Sequence, residues 1–201
     1  MNALIIVDVQ NDFLPGGSLA VPDGDAIIPV INKISNNFDL VVATQDWHPE
    51  GHSSFASQHT GKEPFEQIDL NGKMQTLWPD HCVQGSQGAE FDETLDLKPV
   101  EAIFRKGTDL QIDSYSGFFD NDHKKSTALA DYLCGKNVDK VYICGLATDV
   151  CVYFTALDAL QENFSTFIIT DATKGLDDQA IAAALEDVKN RGGKLVEAKE
   201  L

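Results

Sequence analysis

The sequence predicts an α/β fold in which helices cover both faces of a parallel sheet. Short apolar runs rich in β-branched residues alternate along the chain with segments whose apolar residues recur at helical spacing. The 201 residues, 43% of them hydrophobic, are enough for a sizeable core, and no repeat or linker divides them. We therefore expect one domain that spans residues 1–201.

The strand-like and helix-like segments can be placed along the chain. We expect strands at residues 3–9, 39–44, 101–106, 141–144, 166–170 and 194–198. We expect helices at residues 25–36, 126–135 and 177–191, and a further one that begins near residue 148. Residues 49–100 have few periodic segments, and a structureless loop of that length in a compact domain is usually functional.

The stretch Val141–Val152 holds a candidate nucleophile. Gly145 ends its apolar run, and Thr148 or Asp149 can then cap a helix. Cys151 falls in the first turn, where free amides and the helix dipole favour a thiolate, so we expect a lowered thiol pKa. The same amides can hold an oxyanion. A small buried structural cysteine is the alternative that this stretch alone leaves open.

Charged or nucleophilic residues end four of the predicted strands. Each lies at or just beyond the carboxyl end of a different strand: Asp8, Asp46, Lys106 and Cys151. Ligands bind at this edge of open α/β sheets. The coincidence favours a functional site over chance capping, and it favours a functional Cys151.

A cysteine nucleophile needs a group that takes its proton and later protonates the leaving amine. No histidine lies near the ends of the first, third and fourth strands, so Asp8 is the candidate base. Lys106 supplies a positive charge that would keep Asp8 and the thiolate in usable charge states. A structural Asp8–Lys106 ion pair is the alternative, but Cys151 at the same edge favours a catalytic triad.

The histidine-rich loops offer a second kind of chemistry. Asp46, His48 and His81 form a mixed oxygen and nitrogen ligand set that would leave positions open for water or substrate. Their spacing is a weaker signal than H-E-x-x-H, and histidines are common in surface loops. From the residues alone, ordinary surface histidines are the better interpretation.

Composition argues against several partners. The net charge of −17, from 32 acidic and 15 basic residues, opposes a nucleic-acid or anionic membrane surface. No apolar run approaches the roughly 20 residues that span a bilayer, and Asp8 interrupts the first run, unlike in a secretory leader. The four cysteines lack C-x-x-C spacing. We therefore expect a cytoplasmic protein with free thiols.

Longer motifs add a family resemblance that covers nearly the whole chain. They are the segments Val7–Phe13, Thr44–Pro49, Trp78–Val83, Lys106–Gly107, Asp113–Asn121 and Gly145–Cys151. Through them the chain closely resembles the nicotinamidase/pyrazinamidase family of isochorismatase-like cysteine hydrolases. The resemblance implies a three-layer α/β/α Rossmann-like fold with a central, mainly parallel six-stranded sheet. It also implies a cis peptide between Leu146 and Ala147, which turns the amides of Ala147 and Cys151 toward one point as an oxyanion hole.

The resemblance also implies a metal and a substrate site. Asp46, His48 and His81 would bind one divalent metal ion, zinc in the first place, with iron or manganese as alternatives. His52 matches a position that is a ligand in some relatives and is a lesser candidate. The substrate site would be walled by Phe13, Trp78 and Tyr115. The family binds a small molecule, nicotinamide, and the oligomeric state is left open, a homo-oligomer being one alternative.

The activity implied by the resemblance is hydrolysis of nicotinamide to nicotinate and ammonia in NAD salvage, with pyrazinamide as a second substrate. Asp8 would deprotonate Cys151, whose thiolate would form a thioester that water then hydrolyses. The open metal positions would accept the pyridine nitrogen. Three alternatives remain: a related amidase for a carbamoyl or other small amide, an isochorismate hydrolase, which works without this cysteine, and a non-enzymatic α/β binding module.

Overall fold

A six-stranded sheet forms the centre of the computed structural model, which describes residues 1–70 and 72–201. The strands are β1 (Asn2–Val7), β2 (Leu40–Asp46), β3 (Gln67–Leu70), β4 (Lys73–Thr76), β5 (Val100–Lys106), β6 (Lys140–Leu146), β7 (Ser165–Lys174) and β8 (Lys194–Val196). The central sheet has the order β5-β2-β1-β6-β7-β8, and every neighbouring pair in it is parallel. The α/β fold class is confirmed.

Helices cover both faces of this sheet. They are α1 (Ile28–Ile34), α2 (Leu129–Gly135), α3 (Tyr153–Gln161) and α4 (Asp178–Asn190). Side chains of β1 alternate between two apolar clusters: Leu4 and Ile6 join the cluster that includes α1, and Ile5 joins the cluster with α2, α3 and α4. Within residues 1–70 and 72–201, no helix has the length and apolar character needed to cross a membrane.

The strand order changes direction beside β1. The chain moves outward from β1 to β2 and β5, then returns to the other side of β1 as β6 and continues to β7 and β8. In open α/β sheets, such a switch point leaves a crevice outside the carboxyl ends of the strands, and ligands bind there. The ends of β1 and β6 form this crevice, and they carry Asp8 and the segment that leads to Cys151.

Several sequence-based boundaries are corrected by the structure. β2 continues to Asp46 and β7 to Lys174, because backbone pairing with the neighbouring strand continues where the side chains become polar. α2 begins at Leu129 rather than at residue 126, and β8 ends at Val196 rather than at residue 198. The helix expected at residues 25–36 is α1 flanked by two short 3₁₀ turns.

The region 49–100 is not structureless as the sequence suggested. β3 and β4 pair in an antiparallel hairpin, with Gln67 opposite Thr76. Most of its side chains are exposed or half-buried, so the apolar alternation that would predict a strand is weak. Phe13 is buried in a short 3₁₀ turn that follows β1.

Candidate active site

The buried ammonium of Lys106 brings the strand-end residues together. Its Nζ lies 2.9 Å from Asp8 Oδ2, 3.1 Å from Asp46 Oδ1 and 3.5 Å from Cys151 Sγ. It also donates a hydrogen bond of 3.0 Å to the carbonyl of Ser114. All four charged or thiol side chains are buried. The structure therefore unites Asp8, Lys106 and Cys151, as the sequence predicted, and adds Asp46 to the same cluster.

The protonation states in this cluster follow from burial and from the shared cation. Burial raises the pKa of Asp8, although Lys106 and a 2.6 Å hydrogen bond from Thr44 Oγ1 oppose the shift. Burial alone would lower the pKa of Lys106, but Asp46 and Asp8 outweigh it and raise that pKa well above its usual value. Lys106 therefore stays protonated, between the carboxylates of Asp8 and Asp46.

The expected low pKa of Cys151 is not found. Burial raises the pKa of its thiol well above the usual value, the ammonium of Lys106 lowers it, and the carboxylates of Asp8 and Asp46 raise it further. The predicted low pKa rested on the local amides at the helix start, whereas burial and the carboxylates of Asp8 and Asp46 determine the direction of the shift. Cys151 therefore rests as a thiol, and its activation requires a base.

The turn that carries Cys151 differs in detail from the expected capped helix. Thr148–Val152 forms one wide helical turn before α3, and the amides of Val150 and Val152 both donate to the carbonyl of Ala147. The peptide between Leu146 and Ala147 is cis, in line with the family resemblance. Neither Thr148 nor Asp149 caps the turn with its side chain, so both capping predictions are wrong.

A second cluster contains the predicted metal ligands. Asp46 Oδ2 lies 3.0 Å from His48 Nε2 and 3.3 Å from His81 Nε2, and the three ligand atoms fall within 4.8 Å of one another. All three residues are buried, so the interpretation of His48 and His81 as surface histidines is wrong. The loops after β2 and β4 fold inward at this point.

The donor set suits a divalent cation. His48 Nδ1 lies 3.0 Å from the carbonyl of Gly107, and His81 Nδ1 lies 2.8 Å from that of Pro79. A carbonyl only accepts hydrogen bonds, so Nδ1 carries the proton in both rings and a neutral ring presents a lone pair at Nε2. When both rings are neutral, two lone pairs and a carboxylate face one point, an arrangement that a bound metal ion stabilises.

Gln10 and Gly107, which are not candidate metal ligands, hold the ligand set in position. Gln10 clamps the backbone of Asp46: its Nε2 donates to the Asp46 carbonyl and its Oε1 accepts from the Asp46 amide, both at 2.8 Å. Gly107 has a φ of +66°, and a Cβ there would lie 2.5 Å from His48 Cε1 and 2.8 Å from Asp46 Oδ1. Only glycine leaves room for these two side chains.

His52, the lesser metal candidate, lies beside the cluster but outside the convergent set. Its ligand atom groups with those of His48 and Asp113 within 4.8 Å, and its ring centroid lies 4.4 Å from that of His48. Its Nδ1 contacts Ser54 Oγ at 2.8 Å, whereas its buried Nε2 has no hydrogen-bond partner among the described residues. Burial lowers the pKa of His52, so its ring is neutral.

One cavity joins the thiol to the candidate metal ligands. The predicted wall residues Phe13, Trp78 and Tyr115 line it together with Cys151, Ala147, Asp46 and His81. The sequence did not single out the remaining lining residues, which are Leu19, Val21, Asp113, Val150 and Leu176. Val150 lies in the turn that carries Cys151, and the other four lie in loops where no apolar periodicity marks them.

The isochorismatase domain profile matches residues 2–200. The chain belongs to the isochorismatase family. Within this family, it is similar to the nicotinamidase of Acinetobacter baylyi, with 53% identity over 175 residues that cover 87% of this chain and 82% of the relative.

Two solved structures extend the comparison. A structure described as Acinetobacter baumanii nicotinamidase pyrazinamidase has a TM-score of 0.97 and 47% identity, and the match covers 99% of this chain and 97% of that one. A pyrazinamidase of Pyrococcus horikoshii in complex with zinc has a TM-score of 0.81 and 42% identity, with 98% of both chains covered. These similarities agree with the fold and family that the motifs indicated.

Proposed function

We propose that this isochorismatase-family protein is a nicotinamidase, which hydrolyses nicotinamide to nicotinate and ammonia in NAD salvage and also accepts pyrazinamide. One observation carries the proposal: a single apolar cavity is bordered by a thiol at Cys151 and by Asp46 and His81 of the metal-ligand set. An amide carbon and a ring nitrogen of one small flat molecule can meet these two groups together. The names of the similar proteins support the same activity.

The chemistry begins with Asp8 as the base. Its carboxylate takes the proton of Cys151, and the thiolate sulfur forms a bond to the carboxamide carbon. Lys106 contacts both groups, so its charge stabilises the carboxylate before the transfer and the thiolate after it. Burial raises the pKa of Asp8, which makes its carboxylate a stronger base for the thiol proton.

The amides of Ala147 and Cys151 then stabilise the oxyanion that forms on the carbonyl oxygen. Asp8 returns its proton to the amide nitrogen, the carbon–nitrogen bond breaks, and ammonia leaves a nicotinoyl thioester on Cys151. Asp8 next takes a proton from water, whose oxygen attacks the thioester carbon. The carbon–sulfur bond then breaks, the proton on Asp8 returns to the sulfur, and nicotinic acid leaves and releases its proton to water as nicotinate.

Aromatic side chains hold the ring. Trp78 Nε1 donates to the hydroxyl of Tyr115 at 3.2 Å, which fixes the two rings nearly perpendicular to each other, at 85°. Phe13 packs edge-on against His81, with 5.5 Å between ring centroids. A slot of rigid rings selects a planar substrate and accepts pyrazinamide, which differs from nicotinamide by one ring nitrogen.

Asp46, His48 and His81 would hold one divalent metal ion. When bound, the ion supplies an electrophilic position that suits a pyridine nitrogen or a water molecule. Zinc is the proposed ion, supported by the zinc complex of the Pyrococcus horikoshii relative, with iron and manganese as alternatives. Asp46 also contacts Lys106, so the ligand set and the thiol cluster share one carboxylate.

The test is ammonia and nicotinate release from a panel of nicotinamide, pyrazinamide, benzamide and a small aliphatic amide, with elemental analysis of the same protein. We expect turnover of both heteroaromatic amides and kcat/KM for benzamide lower by at least about a hundredfold, roughly 2.7 kcal/mol. Equal turnover of benzamide and nicotinamide would contradict recognition of the ring nitrogen. Turnover of the aliphatic amide alone would assign the site to another amidase of the family.

A further inference from the structure

Leu176 separates two cavities. It lines the catalytic cavity, which also contains Val21 and Cys151. It also borders an outer groove on the protein surface, lined among others by Asp23 and Lys174. The side chain is half-buried and packs against the apolar cluster on the α1 face of the sheet. Leu176 therefore lies between the catalytic cavity and the outer groove.

The carboxylate of Asp149 fixes the position of this wall. It accepts two contacts from the amide of Leu176, at 3.0 and 3.2 Å, and one from the amide of Asp177 at 3.1 Å. A Cβ on Gly175 would lie 2.4 Å from Asp149 Oδ1, so the loop approaches the carboxylate as closely as glycine allows. Asp149 precedes Cys151 by two residues in the same turn. The geometry thus connects the backbone of Leu176, through Asp149, to the turn that carries the nucleophile.

We propose that Leu176 is a specificity-determining residue that closes the catalytic cavity to ring-substituted carboxamides, and that Asp149 is a positioning residue that acts through it. The inference rests on the proposed amidase function. It assigns to the wild-type protein a substrate class of six-membered heteroaromatic carboxamides that carry no substituent at the ring position facing Leu176. Substrates whose ring substituent would occupy the space of Leu176 are rejected, and removal of that side chain gives the substituent access to the outer groove.

The readout is a specificity ratio, measured on nicotinamides methylated at ring carbons 2, 4, 5 and 6. For each isomer, kcat/KM is divided by kcat/KM for nicotinamide in the same preparation. The ratio cancels the fraction of active enzyme and the reactivity of Cys151, so general destabilisation does not change it.

For Leu176→Ala we expect the ratio of at least one isomer to rise about tenfold or more, since a methyl group in an apolar pocket changes discrimination by 10- to 200-fold. Leu185→Ala is the matched control. Leu185 is also half-buried, but it packs against the cluster on the opposite face of the sheet. Its removal should leave every ratio within about twofold of the wild-type value.

For Asp149→Ala we expect the specificity ratio of the same isomer to rise, because the loop loses its hydrogen bonds to Asp149 and Leu176 shifts. Asp149→Asn keeps one oxygen acceptor and should remain closer to the wild-type ratio. Asp177→Asn is the control for loss of charge in this loop: Asp177 caps α4 by accepting from the amide of Ala180, and asparagine caps equally well. In the Leu176→Ala background, Asp149→Ala should change the ratio little further.

Unchanged ratios in Leu176→Ala would overturn the specificity role of Leu176. Asp149 would not act through Leu176 if Asp149→Ala raised the specificity ratio of a different isomer. The same conclusion would follow if the increase in the double variant equalled the product of the increases in the two single variants. Absence of nicotinamide turnover in the wild-type protein would refute the proposed function and this inference together. Turnover with unchanged ratios would refute the inference alone.

Discussion

At the scale of single residues, the site depends on one buried cation with several partners. Lys106 contacts Asp8, Asp46 and Cys151, and none of these side chains is open to water. A buried charge is stabilised only by such neighbours, so the members of the cluster depend on one another. Burial raises the pKa of both Asp8 and Cys151, and contact with the ammonium of Lys106 lowers both, so the cation favours the carboxylate and the thiolate that catalysis needs.

Lys106→Ala is expected to lower the free energy of unfolding by about 3–5 kcal/mol, because two buried carboxylates lose their counter-charge. The variant should also be inactive. Urea unfolding followed by circular dichroism measures the first effect and ammonia release the second. Lys136→Ala, which removes an exposed ion pair with Glu101, is the control and should change stability little. Wild-type stability in Lys106→Ala would contradict the described charge cluster.

Activity should depend on the ionisation of Asp8. Burial raises its pKa above the ordinary 3.8, so the ionised fraction falls as the pH falls through this raised value. We expect kcat/KM for nicotinamide to decline in proportion over that range, which begins above pH 3.8. Circular dichroism at each pH separates this decline from unfolding. A kcat/KM that stays constant down to pH 3.8 would contradict the role of Asp8 as base.

The effect of Asp8 on stability has the opposite sign to its effect on activity. A raised pKa means that the folded state binds the proton more tightly than the unfolded state. Its contribution to the free energy of unfolding is therefore present at low pH and is lost as the pH rises through the raised pKa. The protein keeps a carboxylate that is useful at neutral pH although its ionisation costs stability.

The sequence predicted Asp8, Asp46, Lys106 and Cys151 because each lies at or just beyond the end of an apolar run, and such runs are recognised from pattern alone. It did not predict the raised pKa of Cys151 or the true partners of Asp149. Both depend on groups that are distant along the chain: burial and the carboxylates of Asp8 and Asp46 raise the pKa of the thiol, and the amides of Leu176 and Asp177 donate to Asp149. Long-range neighbours of this kind leave no local signal.

At the scale of elements, backbone geometry at the strand ends orients the ligands. Asp46 ends β2 opposite Lys106, which ends β5, so the sheet register itself places the ammonium beside the carboxylate. Gln10 also positions Asp46 by hydrogen bonds to its backbone. Gly107 leaves space for the side chains of Asp46 and His48. The metal-ligand set is thus supported by three loops that follow neighbouring strands.

Gly107→Ala is expected to remove bound metal and most activity, since its Cβ would lie 2.5 Å from His48 Cε1. Elemental analysis and ammonia release check this. Gly61→Ala is the matched control: Gly61 also has a positive φ, +74°, but a Cβ there would meet nothing within 4 Å. The Gly61→Ala variant should therefore be affected only by the strain of its positive φ. Equal metal content in the two variants would contradict the role assigned to Gly107.

Strands and helices were predictable where apolar periodicity is strong, and their ends were not. The β3–β4 hairpin was missed because its side chains are mostly exposed, so neither face shows an apolar pattern. The extension of β7 to Lys174 was missed because backbone pairing, with Thr173 opposite Gly145, carries it through polar residues. The pattern of apolar residues detects burial, whereas the β3–β4 hairpin and the extension of β7 depend on backbone hydrogen bonds.

At the scale of the whole molecule, the sheet connects distant parts of the chain. β1 pairs with β2 on one side and with β6 on the other, so the first strand lies between segments that are far apart in sequence. Both apolar clusters contain residues from the two halves of the chain. We propose on this ground that residues 1–201 form one cooperative domain.

A single domain should unfold in one transition. Far-UV circular dichroism, which reports the sheet and helices, and tryptophan fluorescence from Trp47 and Trp78 should give the same urea midpoint. The comparison must be made at fixed metal content, because a bound ion raises the apparent stability. Two separated midpoints would contradict the single-domain proposal.

Nicotinamide hydrolysis should depend on the sulfur of Cys151, because we propose it as the nucleophile of an amidase. The decisive measurement is ammonia release from nicotinamide by Cys151→Ala, with Cys144→Ala as control, since Cys144 is also buried but packs in the core and does not line the cavity. We predict no detectable ammonia from Cys151→Ala, substantial activity in Cys144→Ala, and wild-type circular dichroism in both. Ammonia release by Cys151→Ala at a rate comparable to that of the wild-type protein would rule out Cys151 as the nucleophile.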